Sequence, residues 1–189
     1  MKTRNLLLAF LAFTFFSVSA QNDGPDYTHG IRAWWSNAGL FNDGDQIPSS
    51  GDSKSGFYVG TFRTTKIVPL LHWYKGLEYQ QMGAKVDDDN FRNLHYISLP
   101  TALRLKLGPV FAQAGIAANF KVGESITALG EDVKTDDNKA EWYDFPWHTG
   151  LGLKLGPITV DARYHWGLND IDDTGVRNQY FQIGAGISF

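Results

Sequence analysis

The sequence predicts an all-β fold, an eight-stranded antiparallel up-and-down transmembrane β-barrel with short periplasmic turns and long extracellular loops. Three observations lead there. Apolar and polar side chains alternate with period two through several segments, the connections between segments are alternately tight and long, and the chain closes on an alternating stretch whose last residue is Phe189. A period of two puts one set of side chains on each face of a strand. In a membrane barrel, one face meets lipid and the other a polar interior.

The chain opens with Lys2 and Arg4, an apolar run over 6–16, and Ser17-Val18-Ser19-Ala20. Basic start, short apolar run and small residues at a cleavage point mark a secretory signal peptide over 1–20. The run is shorter than the ~20 apolar residues a helical span needs. Residues 21–189 are then one outer-membrane barrel domain. The absence of cysteine removes any lipid-anchor site and any disulfide.

The first two strands, over 30–35 and 56–63, have an ambiguous sidedness, and the Trp34-Trp35 pair leaves their register open. The segment 67–81 sets Leu71, Trp73, Leu77 and Tyr79 against His72, Glu78 and Gln80, with Lys75 interrupting the oily face. Over 96–107 the odd residues Ile97, Leu99, Leu103, Leu105 and Leu107 oppose Tyr96, Ser98, Arg104 and Lys106. Over 110–122 the parity reverses, with Val110, Ile116 and Phe120 outward and Gln113, Asn119 and Lys121 inward. Segments 143–155 and 158–168 turn Tyr143, Trp147, Leu151, Tyr164 and Trp166 outward and Asp144, His148, Lys154, Asp161, Arg163 and His165 inward. The last strand turns Phe181, Ile183, Ile187 and Phe189 outward.

The tight connections are 64–66, 107–109 and 155–157, the last two carrying Gly-Pro. The long ones span 36–55, 83–91, 123–139 and 169–178. This rhythm puts both chain ends in the periplasm. Leu-Arg-Leu-Lys-Leu-Gly-Pro over 103–109 is echoed by Leu-Gly-Leu-Lys-Leu-Gly-Pro over 151–157, which reads as two hairpins under one constraint.

Composition agrees: aromatics make up 14% and glycine is frequent at 20, which suits aromatic girdles and a polar interior. After removal of the leader, 15 basic residues face 20 acidic ones. That negative balance argues against a nucleic-acid partner.

Three stretches, Gln81-Met82-Gly83-Ala84-Lys85, Tyr96-Ile97-Ser98-Leu99-Pro100 and Arg163-Tyr164-His165-Trp166-Gly167-Leu168, precede the terminal Phe189 in that order. In this the chain resembles the PorT-like outer-membrane β-barrel domain family, over essentially the whole of 21–189. The resemblance implies an eight-stranded barrel in the outer membrane of a Gram-negative cell. It implies no chemistry, cofactor or catalytic residue. The family habit of ending on an aromatic implies that Phe189 is an assembly signal read by the barrel-insertion machinery.

Inward-facing Glu78, Arg104, Lys106, Lys121, Asp144, Asp161, Arg163 and His165 carry both signs, and an eight-stranded barrel is only wide enough inside for side chains. They are expected to form an ion-paired network that plugs the lumen. A narrow, passive, porin-like pore is the alternative. His148 and His165 raise a lipid-modifying enzyme as a second alternative, although no Gly-x-Ser-x-Gly and no His-Glu-x-x-His occurs. The long loops hold fourteen acids against six bases. Asp87, Asp88, Asp89, Asp170, Asp172 and Asp173 are the candidates for a divalent cation bridging to lipopolysaccharide, without EF-hand spacing. Trp34, Trp35, Tyr79, Trp142, Tyr143 and Trp166 are expected in the outer girdle, and Phe111 and Phe189 in the periplasmic one. The expected protein is a monomeric, non-enzymatic, structural or interaction barrel in contact with outer-membrane lipid.

Overall fold

The computed structural model describes residues 27–42, 45–46, 54–87, 90–128, 131–133, 142–170 and 176–189. The signal peptide expected over 1–20 lies outside them. Eight strands make the wall: β1 Tyr27–Asn42, β2 Lys54–Val68, β3 Leu71–Asp87, β4 Asn90–Leu107, β5 Val110–Ala128, β6 Trp147–Leu155, β7 Ile158–Asp170 and β8 Val176–Ser188. Each pairs antiparallel with its neighbours in sequence, and β8 returns to β1, from Ser188 opposite Gly30 to Val176 opposite Asn42. The fold is thus a closed eight-stranded antiparallel barrel. Closure leaves no free sheet edge, which is the condition for a sheet to live in lipid. Short segments Asp45–Gln46, Glu131–Val133 and Tyr143–Asp144 extend the ladders at the loop end.

The predicted alternation holds through β3 to β8. Leu103, Leu105, Ile116, Leu151, Val160 and Ile187 are exposed on the outside, whereas Tyr74, Arg104, Gln113, Arg163, Tyr180 and Gln182 are buried within. The ambiguous first strand has a local cause. Arg32, Ser36 and Ala38 are buried and share a parity, but Trp34 between them is 62% exposed. The pairing with β8 runs through Ala33 opposite Ala185, lapses, and resumes at Ser36 opposite Gln182. The alternation slips for one residue and recovers in the same register.

Strand extends into all four of the expected long connections. β1 runs on to Asn42, β3 to Asp87 with β4 starting at Asn90, β5 to Ala128, and β7 to Asp170 with β8 starting at Val176. About 9 to 11 tilted residues suffice to cross a bilayer, so strands of 16 to 19 residues project beyond it. Their outer ends need no lipid-facing apolar side chains, and the alternation fades before the pairing does. The segment expected as one strand over 143–155 is interrupted at Phe145-Pro146, where proline lacks the N–H a ladder needs.

At the other end, β2–β3, β4–β5 and β6–β7 are joined by two residues each, the first at 69–70 and not over the expected 64–66, which lie within β2. Gly108 and Gly156 take φ of 67° and 62° as the first residue of their turns. A two-residue hairpin with glycine first and a fixed negative φ second is the combination Gly-Pro supplies. Tyr27 and Phe189 lie at this same turn end, where the Phe189 N–H donates to the His29 carbonyl at 2.9 Å.

Candidate functional site

The lumen collects the buried polar side chains, and glycines decide how far they reach. A Cβ on Gly184 would collide with the Tyr58 hydroxyl and the Arg32 guanidinium and would lie 3.0 Å from Asp161 Oδ1. One on Gly152 would collide with the Phe111 ring and lie 2.7 Å from Asp161 Cβ. The missing side chains on β6 and β8 let long side chains from other strands cross the barrel.

In that space two arginines and two carboxylates alternate. Arg32 Nη1 donates to Glu78 Oε1 at 3.3 Å, and its Nη2 to Asp161 Oδ1 and Oδ2 at 2.9 and 3.1 Å. Arg163 Nη1 donates to the same Glu78 oxygen at 3.1 Å, and its Nε to Asp161 Oδ2 at 2.9 Å. Each arginine therefore touches both carboxylates. The Tyr74 hydroxyl accepts from Arg163 at 2.7 Å and Arg32 at 3.2 Å and donates to Glu78 at 3.2 Å, while the Tyr58 hydroxyl accepts from Arg32 at 2.5 Å. All four charged side chains are at most 4% exposed. Removing an ion from water costs several kcal/mol, and only good geometry with further hydrogen bonds offsets it. A neutral ring of alternating charge with two phenols supplies both.

The expected single network is divided. Glu78, Asp161 and Arg163 enter the quartet. Arg104 does not: its Nε and Nη2 donate to Gln113 Oε1 at 3.1 and 2.8 Å, and its guanidinium lies 3.9 Å from the Phe111 ring centre and 4.7 Å from that of Tyr74. Lys121 pairs with Glu124 at 2.8 Å towards the loop end. Lys106 is half-buried near the turn end. His165 belongs to a second, neutral layer, 3.2 Å from Gln182 Oε1 through Nε2 and stacked 4.1 Å from Tyr180. Gln182 donates to Gln80 at 3.0 Å, Gln80 to Asn119 at 3.2 Å, and Asn119 to the Tyr180 hydroxyl at 3.3 Å. Asp144 is buried opposite Asn119 in the ladder. His148 faces His165 across β6 and β7, with ring centres 4.8 Å apart. Among the described residues no group of three His, Cys, Asp or Glu is arranged to hold a metal ion.

Arg32 is the residue the sequence reading misses, because the Trp34-Trp35 irregularity hides its face. Tyr58 and Tyr74 were also unassigned, and Gln80, Tyr180 and Gln182, though on the polar faces of their strands, were not among the expected network residues. Their signal is present in the inward glycines of β2, β6 and β8, which stand where a large opposing side chain needs room.

On the outer wall Trp147 and Trp166 stack at 4.1 Å, with Tyr164 4.4 Å from Trp166, and Trp142 packs 5.0 Å from Tyr143. At the turn end Lys75 lies 3.7 Å over the Trp73 ring, which accounts for its place on an oily face. Phe111 departs from its expected girdle position: it points into the lumen, 1% exposed, under Arg104. Phe189 is 79% exposed. Asp88, Asp89, Asp172 and Asp173 lie outside the described residues, and Asp87 and Asp170 sit in strand, opposite Asn90 and Arg177.

The profile of the outer membrane protein beta-barrel domain family matches residues 34–173. Among solved structures the chain is similar to Ail, the attachment invasion locus protein of Yersinia pestis, in complex with the heparin analogue sucrose octasulfate. Identity there is 13% over 87% of this chain and 99% of that one, with a TM-score of 0.53. It is similar also to Neisserial surface protein A, at 14% identity over 86% of this chain and 97% of that one, with a TM-score of 0.54. At such identities the likeness is one of fold. No curated protein sequence matches the chain.

Proposed function

The chain belongs to the outer membrane protein beta-barrel domain family and is an outer-membrane barrel, and from that premise we propose a non-enzymatic structural or interaction role with a lumen closed to solutes. The observation that carries this reading is the quartet of Arg32, Glu78, Asp161 and Arg163, drawn from β1, β3 and β7, so that paired side chains span the interior. The space left among Arg32, Tyr74, Arg104 and Asp161 is about 10 Å³, roughly the room of one water. His148 and His165 are engaged by ring stacking, and His165 faces an amide rather than a nucleophile, which favours a packing role over lipid chemistry.

The order of the motifs at 81–85, 96–100 and 163–168 supports the finer, PorT-like reading. Export through cleavage after Ala20, contact with outer-membrane lipid and lipopolysaccharide, insertion by the barrel-assembly machinery through Phe189, and a monomeric state complete the proposal. Planar-bilayer recording of the purified mature barrel tests it. A silent bilayer is expected, and steady unitary conductance that Arg163→Ala alters would replace closure by a narrow pore.

A further inference from the structure

Among the described residues, basic side chains gather on the lumen face at the turn end. Lys66 stands opposite His72 across β2 and β3, and His72 opposite Arg104 across β3 and β4. Lys106 and Lys154 sit on the lumen parity of β4 and β6, each two residues before a Gly-Pro turn. The repeated heptads over 103–109 and 151–157 thus do more than shape hairpins. They put a lysine at the same distance from the turn on two neighbouring hairpins.

The charges that bear on His72 are those of Lys106, Arg104 and Lys66. Those bearing on Lys106 are Lys154 and Arg104, and on Lys154, Arg104. All are cations. Among the described residues no carboxylate bonds Lys106 or Lys154, whereas deeper in the lumen every quartet charge is answered. Lys106 and Lys154 are half-buried, so their common field is less screened than that of surface lysines. A cleft lined by one sign of charge between low-dielectric walls concentrates counter-ions of the opposite sign. An ammonium, a point charge with three rotatable donors, suits phosphate oxygens. The mouth of so narrow a barrel can be reached by a small oxyanion but not by a folded surface.

Short turns of outer-membrane barrels face the periplasm. We propose that this mouth is a periplasmic anion site that takes a phosphate-class oxyanion, gripped by Lys106 and Lys154 with His72 and Arg104 behind them. The site rests on the barrel and its orientation and not on whether the lumen conducts. A conducting barrel would sink the envelope role proposed above and leave the anion site standing.

Calorimetric titration of the mature barrel with inorganic pyrophosphate, in zwitterionic micelles at low salt, is the test. Saturable binding is expected, weakened at least tenfold by Lys106→Gln with Lys154→Gln and unchanged by Lys75→Gln on the lipid face. Heat-modifiable migration on a gel checks that each variant is folded. In nanodiscs, competition by phosphatidylglycerol would identify a lipid headgroup as the source of the phosphate, and its absence a free anion. No binding by the unaltered barrel, or equal affinity in the double variant, overturns the proposal.

Discussion

Two layers of one lumen bury polar side chains in different ways. The layer of Arg32, Glu78, Asp161 and Arg163 buries four full charges in a closed alternation. The layer of Gln80, Asn119, Tyr180, Gln182 and His165 buries neutral groups in an open chain of amides and stacked rings. A charge demands an answering charge, and loss of one member strands the others. An amide demands only a hydrogen bond, which a single water can replace. The charged layer is therefore the all-or-none part of the interior, and the neutral layer the forgiving one.

Arg163→Ala should break this contrast most severely, since it leaves Glu78 and Asp161 with half their partners. The expected loss is about 3 to 5 kcal/mol, the cost of breaking a buried pair, read from urea unfolding in lipid vesicles. Replacement of all four quartet residues by apolar side chains of similar volume should restore stability to the unaltered level or above it. A quadruple variant less stable than Arg163→Ala would refute the account of stranded charge. Gly184→Ala should cost about 1 to 3 kcal/mol by overpacking against Tyr58 and Arg32, and its loss should shrink when combined with Tyr58→Phe, which removes the colliding hydroxyl. In the neutral layer Gln182→Ala should cost about 1 kcal/mol, the net worth of a hydrogen bond. A loss equal to that of Arg163→Ala would erase the difference between the layers. Outside the lumen Lys75→Gln gives up a contact with Trp73 worth about 0.5 to 1 kcal/mol, which sets the floor of the series.

Most of the wall was legible because period two is strict wherever lipid lies on one side and packed polar groups on the other. β4 through β8 kept their predicted faces at residues such as Leu151 and Arg163, with Phe111 an exception. The outer strand ends were not legible, since a strand beyond the bilayer keeps its ladder without an oily face, as Asp87 opposite Asn90 illustrates. Of the site, Glu78, Asp161 and Arg163 could be assigned to one inward network, but not which arginine meets which carboxylate. Partners across a barrel depend on shear and on which wall positions are glycine, neither of which a single strand displays. Arg104 shows the limit plainly. Its inward face was readable, but its preference for Gln113 and the Phe111 ring over a carboxylate depends on neighbours from β5.

Arg32 and Asp161 are separated by 129 positions in the chain. Contacts of such separation form late, because the loop they close must be restrained first. Arg32 arrives on the first wall strand and Asp161 on the seventh, so in a partly assembled sheet Arg163 can meet Asp161 on its own strand, while the contacts of Arg32 with Asp161 and of Arg163 with Glu78 await closure. Such an intermediate must keep its inner face wet, and the water can leave only once β8 finds β1. Closure out of register would separate the arginines of the quartet from carboxylates they share across the barrel, at several kcal/mol for each charge left buried and unanswered, so the same four side chains that fill the lumen also weight the energy towards the one register in which β8 meets β1.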